Sequence, residues 1–204
     1  MNKILKNTLI ITAITLVAGI GLGLVYEVTK EPIAAAQENA KQDAYREVFA
    51  DADSFESMDV DADAAKAALK EAGLTSDEIN EVAEAKDGSG ETVGYVITAT
   101  SKEGYGGDIK ITTGISSDGT VNGISILSIS ETAGLGMKAT EPKFQSQFAD
   151  KQVEQFQYTK TGASEDGEID ALSGATITTN AVTNDVNAAL VYFQSVLGGG
   201  SANE

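Results

Sequence analysis

The sequence contains neither cysteine nor histidine, and these two absences exclude several kinds of site. Without cysteine the chain forms no disulfide, no thiolate zinc site and no cysteine-ligated iron–sulfur cluster. Without histidine it has no imidazole base, no serine–histidine dyad and no ordinary haem ligand. If the protein carries electrons, it must therefore do so with an organic cofactor.

Positive charge is also scarce, since 14 Lys and Arg stand against 31 Asp and Glu and the formal net charge is −17. Residues 37–87 hold fifteen of the acidic residues and five of the basic ones. A nucleic-acid partner requires a basic surface that neutralises phosphates, so none is predicted. The acidic residues are scattered, without the spacing of a calcium loop, and predict a solvated spacer and no metal site.

One long apolar run lies near the N-terminus. Residues 7–26 carry no charge, and a helix of this length, at about 1.5 Å per residue, spans the hydrocarbon core of a bilayer. Lysines precede the run and Glu27 begins the acidic region that follows it. The positive-inside tendency predicts a single-pass protein of the cell membrane, with residues 1–6 as a cytoplasmic tip and the main domain on the extracytoplasmic side.

A cleaved signal peptide is the alternative interpretation of this run. Its cleavage site would be the small residues Ala34 to Ala36. These residues lie well beyond the apolar run, and the run is longer than a usual signal core. The uncleaved anchor is therefore the preferred interpretation.

Residues 27–90 predict an acidic helical region outside the membrane. Helices are predicted over 27–50 and 61–72. The spacing of Thr75–Glu78 resembles a capping box, and it predicts a further short helix over INEVAEA, residues 79–85.

Residues 91–197 are richer in β-branched residues and turns, and they predict an α+β domain with an antiparallel sheet packed by helices. The predicted strands are 91–100, 108–115 and 120–128. A short helix is predicted over 141–149, and residues 178–197 carry a helical apolar stripe that should pack on the sheet. Residues 198–204 are predicted to form a flexible tail.

The stretch DALSGATITT, residues 170–179, precedes the last predicted helix. Gly174 and Ala175 leave room for a bulky group near the backbone. Thr176 stands just before the helix, whose free amides and positive dipole end favour an anion such as a phosphate, and two further threonines add hydroxyls. On the residues alone, an alternative remains that Thr176 is simply the helix N-cap.

DALSGAT resembles the Asp-x-x-Ser/Thr-Gly-Ala-Thr motif of proteins that carry covalently attached FMN. The resemblance implies that a flavin transferase joins the FMN phosphate to Thr176 through a phosphoester. It implies that Asp170 helps the transferase recognise the site. It also implies that Ser173, Gly174 and Ala175 form the seat.

A second segment, residues 130–151, resembles a family block usually written Glu-Thr-Pro-Gly-Leu-Gly and followed by a Phe-containing helix. The resemblance implies that Glu131, Thr132, Gly134 and Leu135 lie near the isoalloxazine ring.

One position departs from this pattern, because Ala133 stands where the family commonly has proline. The loop therefore lacks a fixed backbone angle at this position. GYGG at 104–107 and DAYREVF at 43–49 also resemble family features, and Tyr105 is a further candidate for contact with the ring.

Together these segments resemble the G subunits of Rnf complexes, membrane ferredoxin:NAD⁺ oxidoreductases coupled to ion transport, over nearly the whole chain. The resemblance implies an electron-transfer subunit with covalent FMN, partnered by the other Rnf subunits, without a catalytic site of its own. A related alternative is the C subunit of a sodium-translocating NADH:quinone oxidoreductase or another extracytoplasmic flavin carrier. An alternative of another class is a cofactor-free, membrane-anchored binding or structural domain.

Overall fold

The computed structural model describes residues 2–198, and the chain divides along its sequence into two compact units. The first unit ends at Lys41 and consists of most of one long helix. This helix, α1, extends over Lys3–Val48 and is long and apolar enough to cross a bilayer once. The large apolar side chains of its first half are exposed, which fits a surface that contacts lipid.

The second unit is built on a five-stranded antiparallel sheet in which the strands follow one another in chain order. The strands are β1 (Ser54–Met58), β2 (Asp77–Lys86), β3 (Thr92–Ser101), β4 (Ile109–Ser116) and β5 (Val121–Ser128). Helix α2 (Ala62–Glu71) connects β1 to β2. The predicted α+β fold is confirmed, as are the three strands predicted after residue 90.

Shorter elements follow β5 and lead to the final helix. They are a 3₁₀ turn (Gly136–Thr140), α3 (Pro142–Gln145), a second 3₁₀ turn (Ser146–Phe148), the parallel pair β6 (Gln157–Thr159) and β7 (Glu168–Asp170), and α4 (Thr176–Ser195). The helix predicted over 141–149 is thus formed by α3 and the turn after it. Of the tail predicted for 198–204, only Gly198 lies within the described residues.

The helix predicted over residues 79–85 is wrong, because these residues belong to β2. Glu and Ala favour helices when packing does not decide, and Thr75–Glu78 has capping-box spacing. In the fold β2 pairs with β1 on one side and β3 on the other, and it buries Ile79 and Val82. Strand pairing and burial outweigh the local preference. The region 27–90 is therefore helical only over the end of α1 and over α2.

Helix α4 packs along one face of the sheet and forms the main core with it. The apolar stripe predicted from the sequence is buried there. Its buried members are Val182, Val186, Ala189, Leu190 and Phe193, and they share a core cluster with Ile97, Ile111 and Ile115 of the sheet. Because this 20-residue helix is packed on the sheet, the position of its first residue, Thr176, is fixed relative to the strands.

The opposite face of the sheet is covered by residues at the end of α1 that belong to the second unit. Val48 and Phe49 are both buried there. Two glycines permit this close approach. A Cβ atom on Gly114 would lie 2.3 Å from the carbonyl oxygen of Val48, and one on Gly94 would lie 2.6 Å from the Phe49 ring. Glycine is thus required at these two positions of β3 and β4, because the residues at the end of α1 pack directly against the strand backbone.

We expect Gly114→Ala to lower the free energy of unfolding by about 1–3 kcal/mol, because the added methyl group overpacks the contact with Val48. The measurement is denaturant unfolding of the full chain in detergent, followed by circular dichroism. Gly123→Ala is the matched control, since Gly123 pairs with Gly114 across β4 and β5 and a Cβ there meets nothing within 4 Å. An equal loss in both variants would contradict the packing argument.

Candidate functional site

A groove of about 570 Å³ opens at the N-terminal end of α4. Three segments that are distant in sequence line it. The loop between β3 and β4 contributes Tyr105, the segment after β5 contributes Glu131, Thr132, Leu135 and Gly136, and the start of α4 contributes Gly174 to Thr178. The fold therefore brings both sequence motifs and the GYGG loop to one place.

Thr176 is the first residue of α4 and is half-buried in the groove wall. Ala175 occupies the N-cap position, and its side chain makes no capping hydrogen bond. The alternative that Thr176 acts as the N-cap is therefore wrong. The amide groups of the first turn have no acceptor within the helix, and together with the helix dipole they place positive partial charge beside Thr176.

The backbone before Thr176 is held by Thr179, which is buried. Its Oγ1 accepts a hydrogen bond from the Leu172 amide at 3.0 Å and donates one to the Ala175 carbonyl at 2.9 Å. Gly174 completes the bend with a φ of +76°, a conformation that glycine adopts without strain. The sequence predicts that the Thr179 hydroxyl is available to a phosphate. In the structure this hydroxyl instead makes the two hydrogen bonds that shape the loop.

Glu131 is buried beside the groove and joins two of its walls. Its Oε1 accepts a hydrogen bond from the Gly106 amide at 3.0 Å. Gly136 packs against it so closely that a Cβ atom there would lie 2.7 Å from Glu131 Oε2 and 2.6 Å from Thr178 Oγ1. Glu131 therefore positions the loop that carries Tyr105.

The turn at Ala133 keeps its shape without proline. The Leu135 amide donates to the Thr132 carbonyl at 3.1 Å, and Gly134 has a φ of +75°, which is the pattern of a type II turn. Ala133 occupies the second position of this turn, where proline is common. The departure from the family pattern therefore leaves the turn intact and affects mainly the freedom of the unfolded chain.

Three apolar side chains at the groove are exposed, and each comes from a different wall. Tyr105 is 71% exposed, Ile177 is 53% exposed and Leu135 is 42% exposed. Exposed apolar surface beside free helix amides suits a ligand with an apolar ring and an anionic group. Sequence reasoning missed Ile177 and Gly136. Ile177 could have been singled out from the sequence, because it is an apolar residue that lies outside the apolar stripe of α4.

Not every predicted residue lines this groove. Asp170 and Ser173 border a neighbouring groove of about 340 Å³, together with Lys138 and Lys143. The Asp170 side chain is exposed, and its Oδ1 accepts a hydrogen bond from the Ala163 amide at 2.6 Å. The residue predicted to be recognised by the transferase thus lies on accessible surface next to the groove and outside it.

Two family models match the chain. One describes an RnfG N-terminal region and matches residues 1–48, and the other describes an FMN-binding domain and matches residues 104–191. The second match includes all three walls of the groove.

Relatives match almost the entire chain. The G subunit of the Na⁺-translocating ferredoxin:NAD⁺ oxidoreductase complex of Acetobacterium woodii is 34% identical, over 95% of this chain and 93% of the relative. The G subunit of the proton-translocating ferredoxin:NAD⁺ oxidoreductase complex of Clostridium ljungdahlii is 32% identical, over 97% and 96%. The chain belongs to the RnfG family. This membership confirms the family predicted from the sequence motifs.

A solved structure also shows partial similarity to this chain. The C subunit of the Na⁺-translocating NADH-quinone reductase of Parabacteroides distasonis is 22% identical, with a TM-score of 0.48, over 75% of this chain and 80% of that one. The family assignment rests on the nearly full-length matches to RnfG proteins.

We expect Glu131→Ala to release the loop that carries Tyr105, because the Gly106 amide loses its carboxylate acceptor. A hydrogen bond to a charged group contributes about 1.5–3 kcal/mol, so amide hydrogen exchange at Gly106 should accelerate by roughly tenfold or more. Glu131→Gln, which keeps a carbonyl oxygen as an acceptor, serves as the control. Unchanged exchange in the alanine variant would show that the loop is held by other contacts.

Proposed function

We propose that this chain is the flavin-carrying electron-transfer subunit of an Rnf complex, a membrane-bound, ion-translocating oxidoreductase. Its family membership and its FMN-binding domain support this function. The relatives described above belong to complexes named for ferredoxin:NAD⁺ oxidoreduction. In the proposal, the complex of this chain runs the same redox reaction, and this subunit relays electrons without a catalytic site of its own.

In the proposed site FMN is joined to the Thr176 hydroxyl through a phosphoester. The observation that carries the proposal is the placement of Thr176 in the groove wall, at the first position of a 20-residue helix. A phosphate attached at that hydroxyl is stabilised by the free amides of the first turn and by the helix dipole. A covalent bond also prevents loss of the cofactor from a domain outside the cell membrane.

The remaining walls of the groove fit the rest of FMN. Tyr105, Leu135 and Ile177 offer exposed apolar surface to the isoalloxazine ring. Thr132 is exposed in the same groove and offers a hydroxyl to the polar parts of the cofactor. The small residues before Thr176 present little side-chain bulk, so a large group can be accommodated there.

When bound, FMN supplies the redox chemistry that the side chains of this protein lack. The chain contributes attachment at Thr176, a seat for the phosphate at the start of α4, and apolar side chains that exclude water from the ring. Glu131 contributes by holding the Tyr105 loop in place. None of these tasks requires a general base, which agrees with a sequence that has no histidine.

The proposed partners are the flavin transferase during maturation and the other Rnf subunits afterwards. Asp170 is exposed beside the Thr176 groove, and we assign it to recognition by the transferase, while Ser173 stays part of the proposed seat for the cofactor. Helix α1 anchors the chain in the membrane. The lysines before its apolar run favour a cytoplasmic N-terminus, so the FMN-binding domain lies on the extracytoplasmic side.

We expect Thr176→Ala to abolish flavin attachment. Full-length protein made in a host that contains the transferase should carry the added mass of one esterified FMN and should fluoresce on a denaturing gel. The alanine variant should show the bare polypeptide mass and no fluorescence, because the oxygen that forms the ester is gone.

Thr132→Ala is the matched control for this experiment, since Thr132 is an exposed threonine in another wall of the same groove. It should retain the added mass. Flavin mass that persists in Thr176→Ala, or that disappears in Thr132→Ala alone, would move the attachment to another residue.

The absence of native cysteine permits a direct test of orientation. We expect a membrane-impermeant maleimide to label Lys160→Cys in intact cells, because Lys160 is exposed in the FMN-binding domain. Asn2→Cys should be labelled only after the membrane is permeabilised, because residue 2 precedes the apolar run. The reverse pattern would place the domain in the cytoplasm.

A further inference from the structure

Two carboxylates are buried in the FMN-binding unit away from the flavin groove. Asp77 is the first residue of β2 and is 8% exposed, and Asp185 lies within α4 and has no exposed surface. The backbone of Ser101 joins them. Ser101 is the residue paired with Asp77 across the sheet, and its amide donates a hydrogen bond to Asp185 Oδ2 at 2.9 Å.

Most of the oxygens of these two carboxylates have no hydrogen-bond partner within residues 2–198. Both oxygens of Asp77 and Oδ1 of Asp185 are buried and unpaired. A buried acceptor without a partner is strongly destabilising, and two buried negative charges close together are more so. The arrangement therefore calls for a positive charge or a proton between the two side chains.

The charged groups around the pair do not supply that positive charge. Lys102 follows β3, but its ammonium group pairs with Glu78 at 2.9 Å. Lys66 and Lys70 of α2 line the same groove as Asp77, and neither forms an ion pair with it within the described part of the chain.

The remaining neighbour is Glu103, which adds negative charge and raises the pKa of Asp77. The pKa of Asp77 is raised to about 6, and burial is the largest cause. The nearby Ser101 hydroxyl acts in the opposite direction and lowers this pKa. Burial also raises the pKa of Asp185 well above its usual value, and the charge of Asp77 raises it further. Both directions favour retention of a proton.

We propose that Asp77 and Asp185 form a proton-binding site, in which this buried pair of carboxylates retains a proton. A proton on one of the two carboxyl groups leaves one buried negative charge in place of two. A metal ion fits less well, because calcium takes about six to eight oxygen ligands and the described residues include no group of three acidic side chains that could hold a metal.

The proton has a route to solvent through Asp77. A groove of about 440 Å³ between α2 and β2 is lined by Asp77, and Asp185 does not reach it. Asp77 is thus the residue that exchanges protons with water, and Asp185 is the internal partner.

The site is connected to the flavin groove by polar contacts along α4. Asp185 lies nine residues after Thr176, which is about 14 Å along a helix. Glu103, whose charge acts on Asp77, accepts hydrogen bonds from Asn180 and Asn184 of the same helix at 3.2 and 2.9 Å. A change of protonation at the pair therefore changes the electrostatic environment of Glu103, where this loop begins. The proton site does not depend on the covalent flavin.

The test is the pH dependence of unfolding of the full chain in detergent, with Asp185→Asn and Asp77→Asn. The folded state holds the proton more tightly than the unfolded state, where Asp has a pKa near its usual 3.8. The stabilisation is therefore complete below pH 3.8 and is lost as pH rises through about 6 and beyond. Either asparagine removes one of the two buried negative charges, so each variant should show a smaller decline than the wild type and exceed it in denaturation midpoint at alkaline pH.

Asp51→Asn, which removes an exposed carboxylate, is the control and should keep the wild-type decline. Infrared difference spectra should show a protonated carboxyl band near neutral pH in the wild type and in Thr176→Ala, and this band should shift or weaken in Asp185→Asn, where the internal carboxyl group is gone. The Thr176→Ala arm separates this site from the flavin proposal. Identical pH profiles in wild type and Asp185→Asn without such a band would overturn the proton site, and so would a profile that shifts when sodium replaces potassium.

Discussion

Helix α4 is held against the sheet by an apolar stripe that is buried along most of its length, and this contact sets where the helix begins. The start of the helix is Thr176, and the walls of the groove around it come from loops that leave the same sheet. A shift of α4 along the sheet by one residue would move the hydroxyl and the free amides away from Tyr105 and Leu135. The site is therefore a consequence of core packing more than of the loop that carries the motif.

A chain with a net charge of −17 uses several of its carboxylates for internal positioning. Glu131 holds the Gly106 amide, and Glu103 holds two asparagines of α4, so the loop between them is fixed at both ends. Asp185 accepts the Ser101 amide at the end of β3. Each carboxylate ties α4 or its groove to the sheet. Glutamate serves this purpose well at Glu131 and Glu103, because a charged acceptor makes stronger hydrogen bonds than a neutral one.

Local sequence patterns predicted the correct element wherever the apolar residues recurred with a single helix or strand period. The stripe of α4 and the strands after residue 90 could be read directly, since one face of each is apolar. The helix prediction for residues 79–85 failed because their Glu and Ala content favours a helix, while the strand they form, β2, is paired with strands on both sides. Thr179 and Glu131 illustrate the same limit within the site. Their hydrogen bonds reach residues that no spacing rule connects, so their structural roles could not be inferred from the sequence.

The sequence by itself determined the membrane-spanning run, the class of the fold, the family and the threonine proposed to carry the cofactor, because each of these rests on a contiguous string of residues. Only the tertiary structure decided that Thr176 begins α4 instead of capping it, that Asp170 lies outside the groove, and that Asp77 and Asp185 are both buried beside Ser101. These facts depend on contacts between segments that are far apart in the chain. Such contacts are set by packing and strand register, which are properties of the whole fold and not of any local pattern.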